Sequence, residues 1–172
     1  MSPEQRLKEL GIELPDLQPG VGTYLAAKTW GDLVFVSGHG PVRVEANGCL
    51  PGKDAKDMSV VEALPHIVTG KVGADVDQEA AREAARLTTL FMLSALRDQI
   101  GTLDRVRSIV KVFGMVNCAP GFTNTPAVID GCSDFLVDLF GSEVGNHART
   151  AVGMAELPMN IALEIEMVVG FE

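Results

Sequence analysis

Two short runs near the C-terminus carry the side chains best suited to chemistry. His147-Ala148-Arg149-Thr150 enters one predicted strand, and Leu163-Glu164-Ile165-Glu166 lies on the next. Arginine is a permanently charged planar fork that can grip a carboxylate at two points, and a neighbouring glutamate can orient a water for attack. Side chains alternate along a strand, so Glu164 and Glu166 share one face while Leu163, Ile165 and Met167 take the apolar one. If the two strands form an antiparallel hairpin turning at about Met159, Arg149 falls a few residues beyond the register of Glu166. The same residues would also make a plain cross-strand pair, worth at most about 1 kcal/mol.

Other chemistry finds little support. There is no P-loop, no G-x-G-x-x-G after a strand, no H-E-x-x-H and no G-x-S-x-G, and His39, His66 and His147 are scattered. Asp130, Asp134 and Asp138 recur at every fourth residue of a predicted helix. No His or Glu joins them at ligand spacing, so a solvated face is expected there and no metal or other cofactor. Cys49, Cys118 and Cys132 are far apart and odd in number, which reads as reduced thiols of an intracellular protein. Cys132 falls on an apolar helix side where packing is expected. With 14 Lys and Arg against 23 Asp and Glu the formal charge is −9, and no cluster of cations stands out. Nucleic acid is not expected as a partner. The polar start MSPEQRLKEL and the lack of a long apolar run predict a cytoplasmic protein with no membrane contact.

The elements that must position these residues follow from periodicity. A short capped helix is expected over Ser2 to Leu10, then a Pro- and Gly-bearing loop from Glu13 to Gly22. Strands are expected over Tyr24 to Lys28 and Leu33 to Ser37, joined at Trp30-Gly31-Asp32. Arg43 to Gly73 reads as a long irregular excursion containing the charged KDAKD run, with one strand around Ile67 to Gly70. Apolar residues at spacings of three and four predict a helix from Gln78 to Ile100, and alternation predicts a strand from Arg105 to Val116. A second long helix should open at Thr125-Pro126 and end near Phe140, before Gly141. Thr150 to Leu157 and Ile161 to Val169 complete the strands. The whole, residues 1–172, is expected to be one α+β domain with both long helices on one face of a sheet, 1–21 being an N-terminal extension. The sheet's other face would then need a cover, which a second copy would supply.

Three segments together, GTYLAAKTWGDLVFVSGHGP, LDRVRSIVKVFGMVN and HARTAVGMAELPMNIALEIE, resemble the RidA (YjgF-type, endoribonuclease L-PSP) family of reactive-intermediate deaminases. The resemblance runs from about Gly22 to Val169. It implies a chorismate-mutase-like (bacillar) fold assembled as a homotrimer, with ligand clefts between subunits. It also implies hydrolysis of imines and enamines to 2-oxo acids and ammonia, without metal or organic cofactor, and so a small carboxylate-bearing molecule as partner. Arg149 matches the arginine that binds the substrate carboxylate, and Glu164 the glutamate that positions water. Tyr24 matches a tyrosine of the cleft and Ser37 the serine of the S-G-Q segment. The chain departs from the family pattern at four places. His147 replaces a proline, Thr150 stands where Ser or Cys is common, His39 replaces the Gln, and Ser133 and Asp134 stand where Asn is frequent. Ser133, His147 and Thr150 are accordingly counted as candidate binding residues. Two other readings stay open: a binding module for 2-oxo or carboxylic acids that no longer turns them over, and a ribonuclease or translation inhibitor.

Overall fold

A computed structural model describes residues 1–17, 23–54 and 57–172. Part of the expected Glu13–Gly22 loop, including Gly22 of the family motif, and Ala55-Lys56 of the KDAKD run lie outside them. In chain order the elements are α1 (Pro3–Glu9), β1 (Asp16–Leu17), β2 (Ala27–Trp30), β3 (Leu33–His39), β4 (Asp57–Met58), α2 (Val60–Ala63), α3 (Gln78–Ile100), β5 (Val106–Asn117), α4 (Thr125–Gly145), β6 (Ala148–Met154) and β7 (Leu163–Phe171).

Five strands form one sheet in the order β2-β3-β7-β5-β6, antiparallel throughout except for the parallel β5–β6 pair. α3 and α4 both lie against one face, as expected for this α+β class. Their apolar stripes meet Val34, Val36, Ile109, Val112, Val116, Ile165, Met167 and Val169 in a single buried cluster. The opposite face carries Phe35, Lys111, Phe113, Met115, Glu164, Glu166 and Val168, none of them buried.

The expected C-terminal hairpin is not formed. β5 lies between β6 and β7, so Arg149 and Glu166 are not cross-strand neighbours. The physical reason is the connection: Pro158–Asn160 is a 3-10 turn in which Met159 and Asn160 both take positive φ (53° and 55°). Asn160 and Ile161 are tied to the buried Asn117 at the end of β5, whose Nδ2 donates to Asn160 Oδ1 (3.0 Å) and the Ile161 carbonyl (3.1 Å). The chain therefore crosses the end of β5 and descends on its far side.

α3 has the predicted bounds because both ends are specified. Asp77 accepts the Ala80 N–H at 2.8 Å, and Gly101, with φ of 87°, closes the last turn. α4 runs to Gly145 across a break at Gly141, further than expected. The stretch from Arg43 to Gly73 is more ordered than its composition suggested. It contributes β4 and α2, and its Leu50, Met58 and Ala63 join Val42, just before it, in burying themselves around Phe91 of α3. No strand forms over Ile67 to Gly70, which makes isolated bridges from Ile67 and Thr69 instead. Among the described residues no helix is long and apolar enough to cross a membrane.

Candidate functional site

α4 is seated close to its neighbours by two glycines. Gly114 of β5 leaves room for the Ile129 side chain, since a Cβ there would come within 2.5 Å of it. Gly131 lies directly on the Arg82 carbonyl of α3, where a Cβ would overlap backbone. These contacts fix the helix face bearing Asp130 and Ser133 over the first residues of β6. Arg149 is in register with Val112, which is fully buried under the helices, so Arg149 also faces α4.

There its Nη1 donates to Asp130 Oδ1 at 2.7 Å and to Ser133 Oγ at 3.0 Å. Ser133 Oγ lies 2.9 Å from His147 Nε2, and His147 Nδ1 lies 2.6 Å from the Gly145 carbonyl. A carbonyl only accepts and a guanidinium only donates, so the proton directions in the neutral imidazole follow. Nδ1–H donates to Gly145, and the Ser133 hydroxyl donates to Nε2 while accepting from Arg149. A concavity of about 270 Å³ opens beside this chain, lined by Ser133, Asp134, Val137, Asn146, His147 and Arg149. Cys132 adjoins it from within the core, and burial pushes its thiol up to about 12, which leaves it an inert thiol at neutral pH.

Glu164 belongs to a second group on the sheet's other face. It pairs with Met115 and lies across Gly38 of β3, where any Cβ would overlap its Oε1. Burial first, and then the neighbouring Glu166, raise its carboxyl above the usual 4.5. On the same strand as Gly38, the Ser37 hydroxyl donates to the Leu25 carbonyl at 2.7 Å, fixing the segment that carries Tyr24. Tyr24 itself is 64 % exposed. The partly buried His39 ring hydrogen-bonds the Ser37 carbonyl at 2.7 Å, and burial lowers its pKa. Thr150 also faces this side, accepting from Lys111 Nζ at 2.6 Å.

Within one chain, then, Arg149, Ser133 and His147 come together, Glu164 lies against Gly38 of the strand that carries Ser37, and the sheet separates Glu164 from the Arg149 group. Sequence reasoning missed Asp130 as a partner of Arg149. The aspartate row was visible, but its role was not: Asp130 holds Arg149 of β6, Asp134 holds Arg82 of α3 at 2.5 Å, and Asp138 holds Arg6 of α1 at 2.7 Å. The face is solvent-exposed as expected, and it is also an ion-pair row. Among the described residues no cluster of three or more His, Cys, Asp or Glu is placed to hold a metal ion.

A mixed five-stranded sheet with two long helices on one face and a half-buried arginine on its edge strand defines the class of α+β proteins to which chorismate-mutase-like folds belong. The chain is a member of the YjgF family: the family model described as “YjgF/chorismate_mutase-like, putative endoribonuclease” matches residues 4–169. Protein TCP17 of Trypanosoma cruzi is 34% identical over 163 residues, covering 95% of this chain and 90% of its own length. A crystal structure of an Agrobacterium tumefaciens protein of unknown function is 35% identical, with a TM-score of 0.77 over 99% of this chain and 94% of that one. A “putative endoribonuclease” from Shewanella oneidensis is 27% identical, with a TM-score of 0.82 over 99% of this chain and all (100%) of its own. Escherichia coli TdcF, solved with bound serine, shares the fold at 24% identity and a TM-score of 0.54, over 94% of this chain and 98% of that one.

Proposed function

We propose that the protein hydrolyses small imine or enamine acids to 2-oxo acids and ammonia, in clefts formed where copies of the chain meet. The observation that carries this reading is Arg149: a half-buried guanidinium whose Nε and Nη2 protons are unbonded among the described residues, beside a concavity edged by Ser133, Asn146 and His147. A fixed fork of this kind suits a ligand carboxylate. Once the carboxylate is held, water adds to an already electrophilic C=N carbon, so positioning supplies much of the catalysis. Water's oxygen forms the new bond to carbon, its protons pass to nitrogen, and ammonia leaves as the carbonyl forms. Glu164, whose raised carboxyl keeps it closer to the protonated form than an ordinary glutamate, is the group we assign to orienting that water and moving its proton.

Family resemblance and the open, partly apolar sheet face support assembly as a trimer, with Tyr24, Ser37 and Glu164 of one copy facing Arg149 of the next. Serine, the ligand held by TdcF, carries a carboxylate of the size this site would take.

The test is an added-protein assay on a serine or threonine dehydratase, which releases imino acid. Wild type should speed 2-oxo acid release and Arg149→Ala should not. If wild type has no effect while 2-oxo acids still raise its melting temperature, the protein is a binding module and the hydrolytic reading falls.

A second reading comes from the relative described as a “putative endoribonuclease”. A net charge of −9 opposes it. RNA binding that weakens steeply with salt would be the result in its favour.

A further inference from the structure

Arg149 gives both protons of Nη1 to its own chain, one to Asp130 Oδ1 and one to Ser133 Oγ. A guanidinium has five N–H donors in one plane, so three remain, on Nε and Nη2. A carboxylate can be gripped end-on through the two terminal nitrogens or side-on through Nε and Nη2. With Nη1 spent, the side-on edge is the one left unbonded among the described residues.

We propose that Asp130 is a positioning residue of the ligand site, holding the Arg149 guanidinium so that its Nε–Nη2 edge receives the carboxylate of a small 2-oxo or imino acid. This rests on the reading that Arg149 binds that carboxylate. Asp130 and Ser133 stand at i and i+3 on α4, one above the other on the same side of the helix. Ser133 is braced in turn by His147, which is anchored on the Gly145 carbonyl. The glycine contacts at Gly114 and Gly131 fix the helix itself. Arg149 and Asp130 retain 24% and 39% of their side-chain exposure, so water screens the pair, and its main effect is on orientation rather than stability.

The rival role for Asp130 is a tethered competitor, an internal carboxylate occupying the guanidinium until ligand displaces it. The two roles predict opposite signs. Pyruvate affinity is to be measured by calorimetry on the full chain for wild type, Asp130→Ala, Asp130→Asn and Arg149→Ala. Positioning predicts that Asp130→Ala weakens pyruvate by about tenfold or more, the effect of losing a hydrogen bond to a charged group. Asparagine keeps an acceptor oxygen, so Asp130→Asn should stay within about threefold of wild type. A competitor predicts tighter binding in both variants, which would overturn the proposal.

Nitrogen-15 spectra of the arginine side chains give a readout independent of ligand. The Arg149 Nη1 protons should be resolved in wild type and Asp130→Asn, and averaged by rotation in Asp130→Ala. Identical Arg149 spectra in wild type and Asp130→Ala would sink the positioning role. If Asp130→Ala does not fold, Ser133→Ala removes the other anchor and carries the same expectations. Equal pyruvate binding by wild type and Arg149→Ala would instead refute the carboxylate site, and the spectra would still decide whether Asp130 fixes the fork.

Discussion

Arg149 and Glu164 point to opposite faces of one sheet. Arg149 is in register with Val112, under the helices, and Glu164 with Met115, on the open side, and β5 runs between their strands. A reaction that uses both must take them from two copies of the chain. Mixing subunits of Arg149→Ala with subunits of Glu164→Ala, each inactive alone, should therefore restore activity. In a cyclic trimer assembled at random from equal amounts, roughly one quarter of the sites would join two intact residues. An imine-hydrolysis assay on the remixed protein checks this, and no recovery after confirmed subunit exchange would show that the two residues do not meet across an interface.

Gly38 gives a separate handle on Glu164. Its Cβ would collide with the far end of a flexible side chain and not with backbone, so Gly38→Ala should fold with little change in melting temperature. The carboxylate must swing away. If Glu164 acts on water as proposed, and not on ligand binding, the expected result is a fall in kcat of about tenfold or more with KM little changed.

The stability of the protein should fall on mild acidification. Burial lowers His39 below its usual 6.5, so the unfolded chain takes up this proton more readily than the folded one. The contribution of His39 is complete above about 6.5 and is lost as pH falls through the folded value. His39→Gln should flatten the decline in melting temperature between about pH 7 and pH 5. Glu164 works in the opposite direction. Its raised carboxyl stabilises fully below the usual 4.5, and that contribution is lost as pH rises through the folded value, so Glu164→Gln should not reproduce the His39→Gln effect.

Gly131→Ala tests the seating of α4. The added methyl would meet the Arg82 carbonyl, which is rigid helix backbone, so the two helices must separate. A loss of about 1–3 kcal/mol of unfolding free energy in urea is expected, together with weaker 2-oxo acid binding as Asp130 and Ser133 move off Arg149.

Much of this fold is written locally. The α3 stripe from Ala81 to Leu96 and the Asp77 and Gly101 ends set one helix without reference to the rest of the chain. The strand order is not local. Thr150 to Leu157 and Ile161 to Val169 are consecutive and joined by three residues, which favours pairing, yet Asn117, more than forty positions away, captures the connection and carries it across β5. The site shows the same division. Arg149 and Glu164 are recognisable from motif, and Ser133 and His147 from where the motif is broken. The partners of the aspartate row were hidden, because Arg6, Arg82 and Arg149 come from three separate elements and nothing in helical spacing points to them.

That row has a mechanical meaning. One edge of α4 is a rail to which the N-terminal helix, the other long helix and the strand bearing Arg149 are each fastened by a single ionic rivet. The rivets are exposed enough for dissolved ions to loosen all three at once. At high ionic strength α1, α3 and β6 are therefore all expected to hold α4 less tightly.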